Sequence, residues 1–112
     1  MDDNCIFCRI ANGELGTEFV ASSENAVAFD DIAPSAPVHV LVVPKRHIAS
    51  LRDLDDPLLA AELLALTRSV ADEKGLLESG YRVVSNNGAE AGQTVFHLHF
   101  HVLGGKPLGR MA

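Results

Sequence analysis

The feature that most constrains this chain is the run His97–Leu103, in which histidines alternate with apolar residues. In a β-strand, successive side chains point to opposite faces of the sheet, so this run predicts one histidine face and one apolar face. The two sets are His97, His99 and His101 on one face, and Leu98, Phe100 and Val102 on the other. Imidazoles titrate near neutral pH, bind metals and need partners when buried. The run therefore predicts a functional site, with metal binding and phosphoryl or acyl transfer both open.

Length and composition place this site in a small globular protein. At 112 residues, the chain is long enough for a single domain, which we assign to residues 1–112. Hydrophobic residues make up 47% of the chain and charged residues 21%, a balance typical of globular proteins. The net charge of −6 argues against a nucleic-acid-binding or anionic membrane-binding surface, since both need clustered Lys and Arg.

The N-terminal residues and the cysteines indicate the compartment. Residues 1–4 are acidic and lack the basic and apolar regions of a secretory signal, and no segment approaches the roughly 20 apolar residues of a membrane span. We therefore expect a cytoplasmic protein. In a reducing compartment, the C-x-x-C pair Cys5 and Cys8 is more often a metal or redox site than a structural disulfide.

Periodicity and turn residues predict an α+β fold, with an antiparallel sheet of about five strands, one long helix and a short N-terminal helix. The predicted strands are Glu18–Ala21, Ala26–Phe29, Val38–Val43, Tyr81–Val84 and His97–Leu103, of which the first two form a hairpin. The proline-rich segment 30–37 is a predicted loop, and the glycine-bearing segment 89–94 is a loop that can approach an oxyanion. The tail 104–112 has no periodic pattern.

Two helices are predicted. The short one covers residues 5–12 and ends at Gly13, whereas the long one has Asp56 as N-cap and Pro57 at its first position and runs to Lys74. Its apolar residues recur at helical spacing and predict one buried stripe, formed by Leu59, Leu63, Leu66 and Val70.

Two kinds of chemistry remain open on the residues alone. Cys5 and Cys8 supply half of a tetrahedral zinc site, which two histidines could complete, although their spacing does not say which two; idle thiols are the alternative. A neutral imidazole can also attack phosphorus to give a phosphohistidine-type intermediate, and the central ring is the natural nucleophile. A protonated flanking histidine would then stabilise the phosphoryl charge and assist the leaving group.

The run His97–Leu103 resembles the H-φ-H-φ-H-φ-φ signature of the histidine triad (HIT) family of nucleotide hydrolases and transferases. The resemblance is to the purine nucleoside phosphoramidase branch. It covers most of the chain, although the long helix matches only in type. The matching segments are Cys5–Ile10, Ala28–Ile32 with the prolines that follow, Val38–Ile48 and Val83–Gly105.

The resemblance implies a hydrolase that cleaves the P–N bond of purine nucleoside 5′-phosphoramidates, conjugates of AMP or GMP. It implies that His99 attacks the α-phosphate, that His101 contacts the phosphate and that His39 supports the site. Hydrogen bonds to the phosphate or leaving group are implied for Asn86, Gln93 and Thr94. The nucleoside positions are Asp31 for the ribose and Phe7, Ile10, Leu15, Phe29, Ile32 and Leu41 for the base.

The resemblance also implies one structural zinc per chain and no organic cofactor. In family members with an N-terminal C-x-x-C, the zinc ligands match Cys5, Cys8, His47 and His97. The resemblance further implies a homodimer, whose long helices and central strands pack across a two-fold axis.

Three departures from the family pattern bear on specificity. Thr94 replaces a serine, Asp30 replaces a histidine beside the ribose carboxylate, and the tail lacks a tryptophan-proline ending. Other functions remain open: a dinucleoside polyphosphate hydrolase of the same family, a nucleotide-binding scaffold without turnover, and a catalytic metal site formed by the triad itself.

Overall fold

A computed structural model describes residues 4–111; the acidic residues 1–3 and the last residue of the tail lie outside the described range. A short helix comes first, and five strands and one long helix follow it. The elements are α1 (Ile6–Ala11), β1 (Ala21–Ser22), β2 (Ala26–Asp30), β3 (Val38–Pro44), α2 (Pro57–Glu73), β4 (Arg82–Val84) and β5 (Phe100–Gly104). The strands form one sheet of order β1-β2-β3-β5-β4, in which every neighbouring pair is antiparallel. The predicted α+β fold is confirmed.

The long helix begins and ends where its capping residues predict. The Asp56 carboxylate accepts hydrogen bonds from the N–H groups of Leu58 and Leu59, and Pro57, which has no N–H to leave unpaired, occupies the first turn. The predicted stripe is buried against the sheet: Leu59, Leu63, Leu66 and Val70. No helix in the described range combines the length and apolar composition needed to cross a bilayer.

The sheet separates two apolar clusters. Residues Val40 and Val42 of β3 face α2, while Leu41 and Val43 face α1 on the opposite side. The alternating run follows the same division, because its apolar set packs in the α2 cluster: Leu98, Phe100 and Val102. The histidines are therefore displayed on the α1 side of the sheet, as the alternation predicts.

The histidine run is not one regular strand, however. The ladder with β3 includes only Phe100–Gly104, whereas residues 97–99 precede it. In the segment before the ladder, the Leu98 N–H donates, at 2.6 Å, to the carbonyl of Ile48, which lies beyond the end of β3.

The first hairpin forms with a shifted boundary. β1 contains two residues, paired as Ala21↔Ala28 and Ser22↔Val27, so the predicted strand Glu18–Ala21 is wrong for residues 18–20. The turn between β1 and β2 is linked to α2, because Glu62 accepts a hydrogen bond from the Asn25 N–H, at 2.7 Å. Tyr81 likewise lies outside β4, since pairing with β5 starts at Arg82.

Candidate active site and metal cluster

Four of the five histidines lie on the α1 side of the sheet, and the ring centroid of the fifth, His47, is 5.2 Å from that of His97. β3 carries His39, β5 carries His101, and the segment before β5 carries His97 and His99. The ring centroids of His99 and His101 are 5.0 Å apart, and those of His39 and His101 are 5.1 Å apart. Of the four rings on the α1 side, all except His101, which is half-buried, are buried. The fold thus concentrates groups that can transfer protons or attack an electrophile.

His99 is oriented by the main chain two residues before it. Its Nδ1 lies 2.8 Å from the carbonyl oxygen of His97. A carbonyl can only accept, so Nδ1 donates the hydrogen bond and the other ring nitrogen, Nε2, keeps its lone pair. Phe7 packs edge-on against the same ring, with centroids 5.1 Å apart. The ring is therefore held in a tautomer suited to nucleophilic attack through Nε2.

A second set of contacts links His101 to the loop before β3. The main-chain N–H of Ser35 donates to His39 Nδ1 at 3.0 Å, and His39 Nε2 lies 2.8 Å from His101 Nδ1. The carboxylate of Asp31 lies 3.4 Å from the same His39 Nε2. Burial, reinforced by the neighbouring His99 and His39 and opposed by Asp31, lowers the pKa of His101 to about 4. His101 is therefore a neutral imidazole at neutral pH.

A cavity of about 330 Å³ opens beside His99 and His101, between α1 and the loop that follows β2. Most of the lining side chains are apolar, and Asp31 and Thr94 are lining residues with polar side chains in sequence-predicted roles. The predicted site residues that line it are Phe7, Ile10, Phe29, Asp31, Ile32, Leu41, Thr94, His99 and His101. Ile32 is fully exposed at this cavity, so an occupant would bury it.

Three predicted residues lie elsewhere in the described structure. Leu15 is 43% exposed and does not line the cavity. Asn86 follows β4, half-buried, and does not line it either. Gln93 is buried and bonded to the main chain: its Oε1 accepts from the Gly88 N–H at 2.8 Å, and its Nε2 donates to the carbonyls of Ala49 and Val95 at 2.7 and 3.1 Å. Its amide thus braces the loop 88–95.

The sequence analysis missed three cavity residues, Ile6, Thr17 and Val95, and it named a further lining residue, Asp30, only as a departure from the family pattern. Ile6 and Val95 are neighbours in sequence of predicted residues and could have been found by that adjacency, whereas Thr17 carries no local signal. The carboxylate of Asp30 forms an ion pair with Lys74, at 3.2 Å, at the end of α2. Asp30, one of the departures from the family pattern, is therefore linked to the end of α2 by this ion pair.

A separate cluster joins α1 to the sheet through four potential metal ligands. Cys5, Cys8, His47 and His97 bring their ligand atoms within 4.8 Å of one another. His97 Nδ1 lies 3.3 Å from Cys5 Sγ and 3.4 Å from Cys8 Sγ, and His47 Nδ1 lies 3.4 Å from Cys8 Sγ. Zinc bonds to sulfur and nitrogen at tetrahedral angles would place these atoms about 3.6 Å apart. The donor set fits zinc in both chemistry and spacing.

The surroundings of the cluster favour metal-binding protonation states. His97 Nε2 lies 2.8 Å from the carbonyl of Pro44 and donates to it, which leaves Nδ1 to face the thiols. Burial is the main effect that lowers the pKa of His97, so the ring is neutral as a ligand must be. The cysteines also shape α1, since Cys5 Sγ accepts the N–H of Cys8 at the start of the helix.

A second group, Asp31, His39 and His101, also brings its ligand atoms within 4.8 Å. A metal held by His39 Nε2 would require the ring proton on Nδ1. That position faces the Ser35 N–H, which can only donate. The hydrogen bonds therefore argue against a metal held by Asp31, His39 and His101.

Comparisons with known proteins agree with this geometry. A family model described as the HIT domain matches residues 12–108. The chain is 47% identical over 109 residues to a HIT-like protein of Chlamydia pneumoniae, across 96% of this chain and 98% of that protein. It is 34% identical over 113 residues to the purine nucleoside phosphoramidase of Escherichia coli K12, across 99% and 95%. A HIT family hydrolase from Legionella pneumophila superposes with a TM-score of 0.90 at 44% identity, covering 95% and 96%.

Proposed function

This chain belongs to the HIT domain family, and on that premise we propose that it hydrolyses the P–N bond of purine nucleoside 5′-phosphoramidates through a nucleotidyl-histidine intermediate. One observation carries the proposal. His99 lines a cavity large enough for a small ligand. Because His99 Nδ1 donates to the His97 carbonyl, its other ring nitrogen, Nε2, has a free lone pair. The similarity to a phosphoramidase supports the substrate class.

The reaction has two displacements at phosphorus. In the first, Nε2 of His99 attacks the α-phosphorus, a bond forms between them, and the P–N bond breaks as the leaving nitrogen takes up a proton from solvent water. In the second, a water molecule attacks the same phosphorus, the bond to His99 breaks, and the attacking water releases its proton to solvent. The products are a nucleoside monophosphate and a free amine, and His99 is regenerated.

The cavity supports distinct roles for its residues. The apolar side chains Phe7 and Phe29 would pack against the purine, and the half-buried carboxylate of Asp31 would accept hydrogen bonds from the ribose hydroxyls. Thr94 and His101 would donate to the phosphoryl oxygens, where negative charge accumulates during the displacement.

For the remaining predicted positions, the contacts favour narrower roles. The amide of Gln93 is taken up by three main-chain bonds, so we assign it to holding the loop 88–95 rather than to the phosphate. Asn86 and Leu15 remain predictions, because each would need to move to reach the cavity described above.

We propose zinc as a structural metal held by Cys5, Cys8, His47 and His97. Bound there, zinc supplies a crosslink and no Lewis-acid chemistry to the substrate. Its ligands would fasten the start of α1 to the sheet, and α1 carries the aromatic wall of the cavity through Phe7. A six-residue helix has little stability of its own, so this fastening keeps the cavity formed.

We also propose a homodimer. β4 is an edge strand of the sheet, and it exposes Val83, which is 42% accessible. An unpaired edge with an apolar side chain is a surface that soluble proteins generally cover. Sedimentation equilibrium would give a mass of about twice 12.0 kDa for the dimer and a single-chain mass if the proposal is wrong.

The decisive experiment compares the chain with a matched variant, His99→Asn. The asparagine amide can still donate to the His97 carbonyl, but it offers no ring nitrogen to attack phosphorus. With adenosine and guanosine 5′-phosphoramidates, we expect the original chain to release monophosphate and the variant to lose at least about 1,000-fold in rate. Mass spectrometry of the quenched reaction should detect a nucleotidyl adduct on His99.

Two alternatives are tested by the same assay. A dinucleoside polyphosphate hydrolase would turn over diadenosine polyphosphates faster than phosphoramidates. A nucleotide-binding scaffold would bind AMP in calorimetry without releasing product from either substrate. Full activity of His99→Asn would contradict the proposed nucleophile outright.

A further inference from the structure

We propose that the main-chain amide of Ser35 sets the tautomers of His39 and His101, so that His101 presents a neutral Nε2–H group to the phosphoryl oxygens. The inference rests on the proposed function only for the identity of the phosphoryl ligand. It makes His39 and the Ser35 amide positioning groups that act through His101.

The first step is the bond at Ser35. A main-chain N–H can only donate, and it lies 3.0 Å from His39 Nδ1. His39 Nδ1 must therefore keep its lone pair, and the proton of the neutral ring is on Nε2.

The second step passes from His39 to His101. His39 Nε2 and His101 Nδ1 are 2.8 Å apart, which leaves room for one proton between them. Since His39 supplies that proton, His101 Nδ1 accepts, and the proton of the neutral His101 ring is on Nε2. The Asp31 carboxylate lies 3.4 Å from His39 Nε2, and its negative charge favours the same tautomer by attracting the Nε2–H.

The third step concerns His101 Nε2, the last atom in this series of hydrogen bonds. His101 Nε2 is buried and has no hydrogen-bond partner within residues 4–111. Buried N–H groups normally have partners, and an orphan of this kind in a candidate active site indicates a group that a ligand satisfies. His101 lines the same cavity as His99, so a phosphoryl oxygen under attack by His99 would be a suitable acceptor.

The charges around His101 agree with a neutral donor. The titratable groups that face it are His99, His39 and Asp31; burial and the two histidines lower its pKa to about 4, against the opposing effect of Asp31. This differs from the sequence-based expectation of a protonated flanking histidine. His101 would stabilise the phosphoryl charge by a hydrogen bond without giving up a proton to the leaving amine.

Nitrogen-15 NMR tests the tautomers directly. Two-bond proton–nitrogen correlations of the zinc-loaded chain at pH 7 should show His101 protonated at Nε2 and bare at Nδ1, with the signals assigned by their loss in His101→Gln. The pattern should not change between pH 7.5 and 5.5. A proton on Nδ1, or a cationic pattern at pH 7, would overturn the inference. Ser35→Ala keeps the main-chain N–H and should show the same tautomer.

A matched pair at His39 tests the relay. In His39→Gln, the side-chain oxygen can accept from Ser35 and the amide can donate to His101, whereas His39→Met can do neither. We expect the Gln variant to keep the His101 tautomer and to stay within about 5-fold in kcat/KM, and the Met variant to lose the tautomer preference and roughly 10- to 100-fold in kcat/KM. Equal losses in both variants with the tautomer unchanged would show a packing role and refute the relay.

Adding AMP in the NMR experiment tests this inference independently of the proposed function. On adding AMP, the His101 Nε2–H resonance should shift and exchange more slowly with water, whether or not any phosphoramidate is hydrolysed. If the tautomer and this response appear but no phosphoramidate is cleaved, the proposed function alone fails. If phosphoramidates are cleaved while the tautomer is reversed, the inference alone fails.

Discussion

Acidification should destabilise this protein through His101. Its pKa is about 4 in the folded chain, against 6.5 for an unperturbed imidazole, because burial disfavours the cation. Below pH 6.5, the unfolded chain takes up a proton that the folded ring does not. Stability from this group is therefore complete above about pH 6.5 and is lost as the pH falls toward 4. Between pH 7 and pH 5, the difference between these two pKa values lowers the free energy of unfolding by about 1.8 kcal/mol.

The half-buried ring borders an open cavity, so solvent screening reduces the expected loss to about 1 kcal/mol. Urea unfolding at pH 7 and pH 5, with excess zinc throughout, would measure it in the original chain and in His101→Gln. Glutamine can still accept from His39 but does not titrate. The original chain should lose about 1 kcal/mol more than the variant. Equal losses in the two proteins would refute the assignment of a protonation-resistant ring.

Three further perturbations have defined outcomes. Chelation of zinc should lower the thermal midpoint and weaken AMP binding several-fold in calorimetry, because α1 and the ring of Phe7 lose their tether; unchanged affinity would contradict the tether. Leu63→Ala should cost about 3 kcal/mol of unfolding free energy in urea, and Leu58→Ala less than about 0.5, since Leu63 is fully buried and Leu58 is 83% exposed. Gln93→Leu should cost about 2 kcal/mol and speed hydrogen exchange at the Gly88 amide, which loses its acceptor; slow exchange there would show another partner.

The elements with strong local signals were predicted well. α2 has its N-cap at Asp56 and its buried stripe where the sequence places them, because capping and amphipathic spacing are decided within a few residues. β3 is buried on nearly every position, as its apolar run indicates. Boundaries that depend on pairing were less accurate, and β1 is the example: its ladder stops at Ala21↔Ala28, although β2 continues to Asp30.

Contacts between main-chain and side-chain atoms that are distant in sequence could not be predicted from the sequence. Nothing local indicates that Gln93 bonds to the Ala49 carbonyl, 44 residues away, or that Leu15 lies outside the cavity. The Ser35 amide gives no sequence signal at all, because every residue except proline has one. Its role depends on the loop 31–37 placing it against His39.

The alternation of His97–Leu103 by itself determined that three imidazoles share one side of the sheet and three apolar side chains share the other, since side-chain direction in an extended chain depends only on parity. Tertiary structure decided what each histidine contacts. His97 contacts the Cys5 thiol, His99 donates to the His97 carbonyl, and His101 contacts His39. Those contacts bring together segments up to 92 residues apart, and they fix the proton positions that separate a metal ligand, a nucleophile and a hydrogen-bond donor.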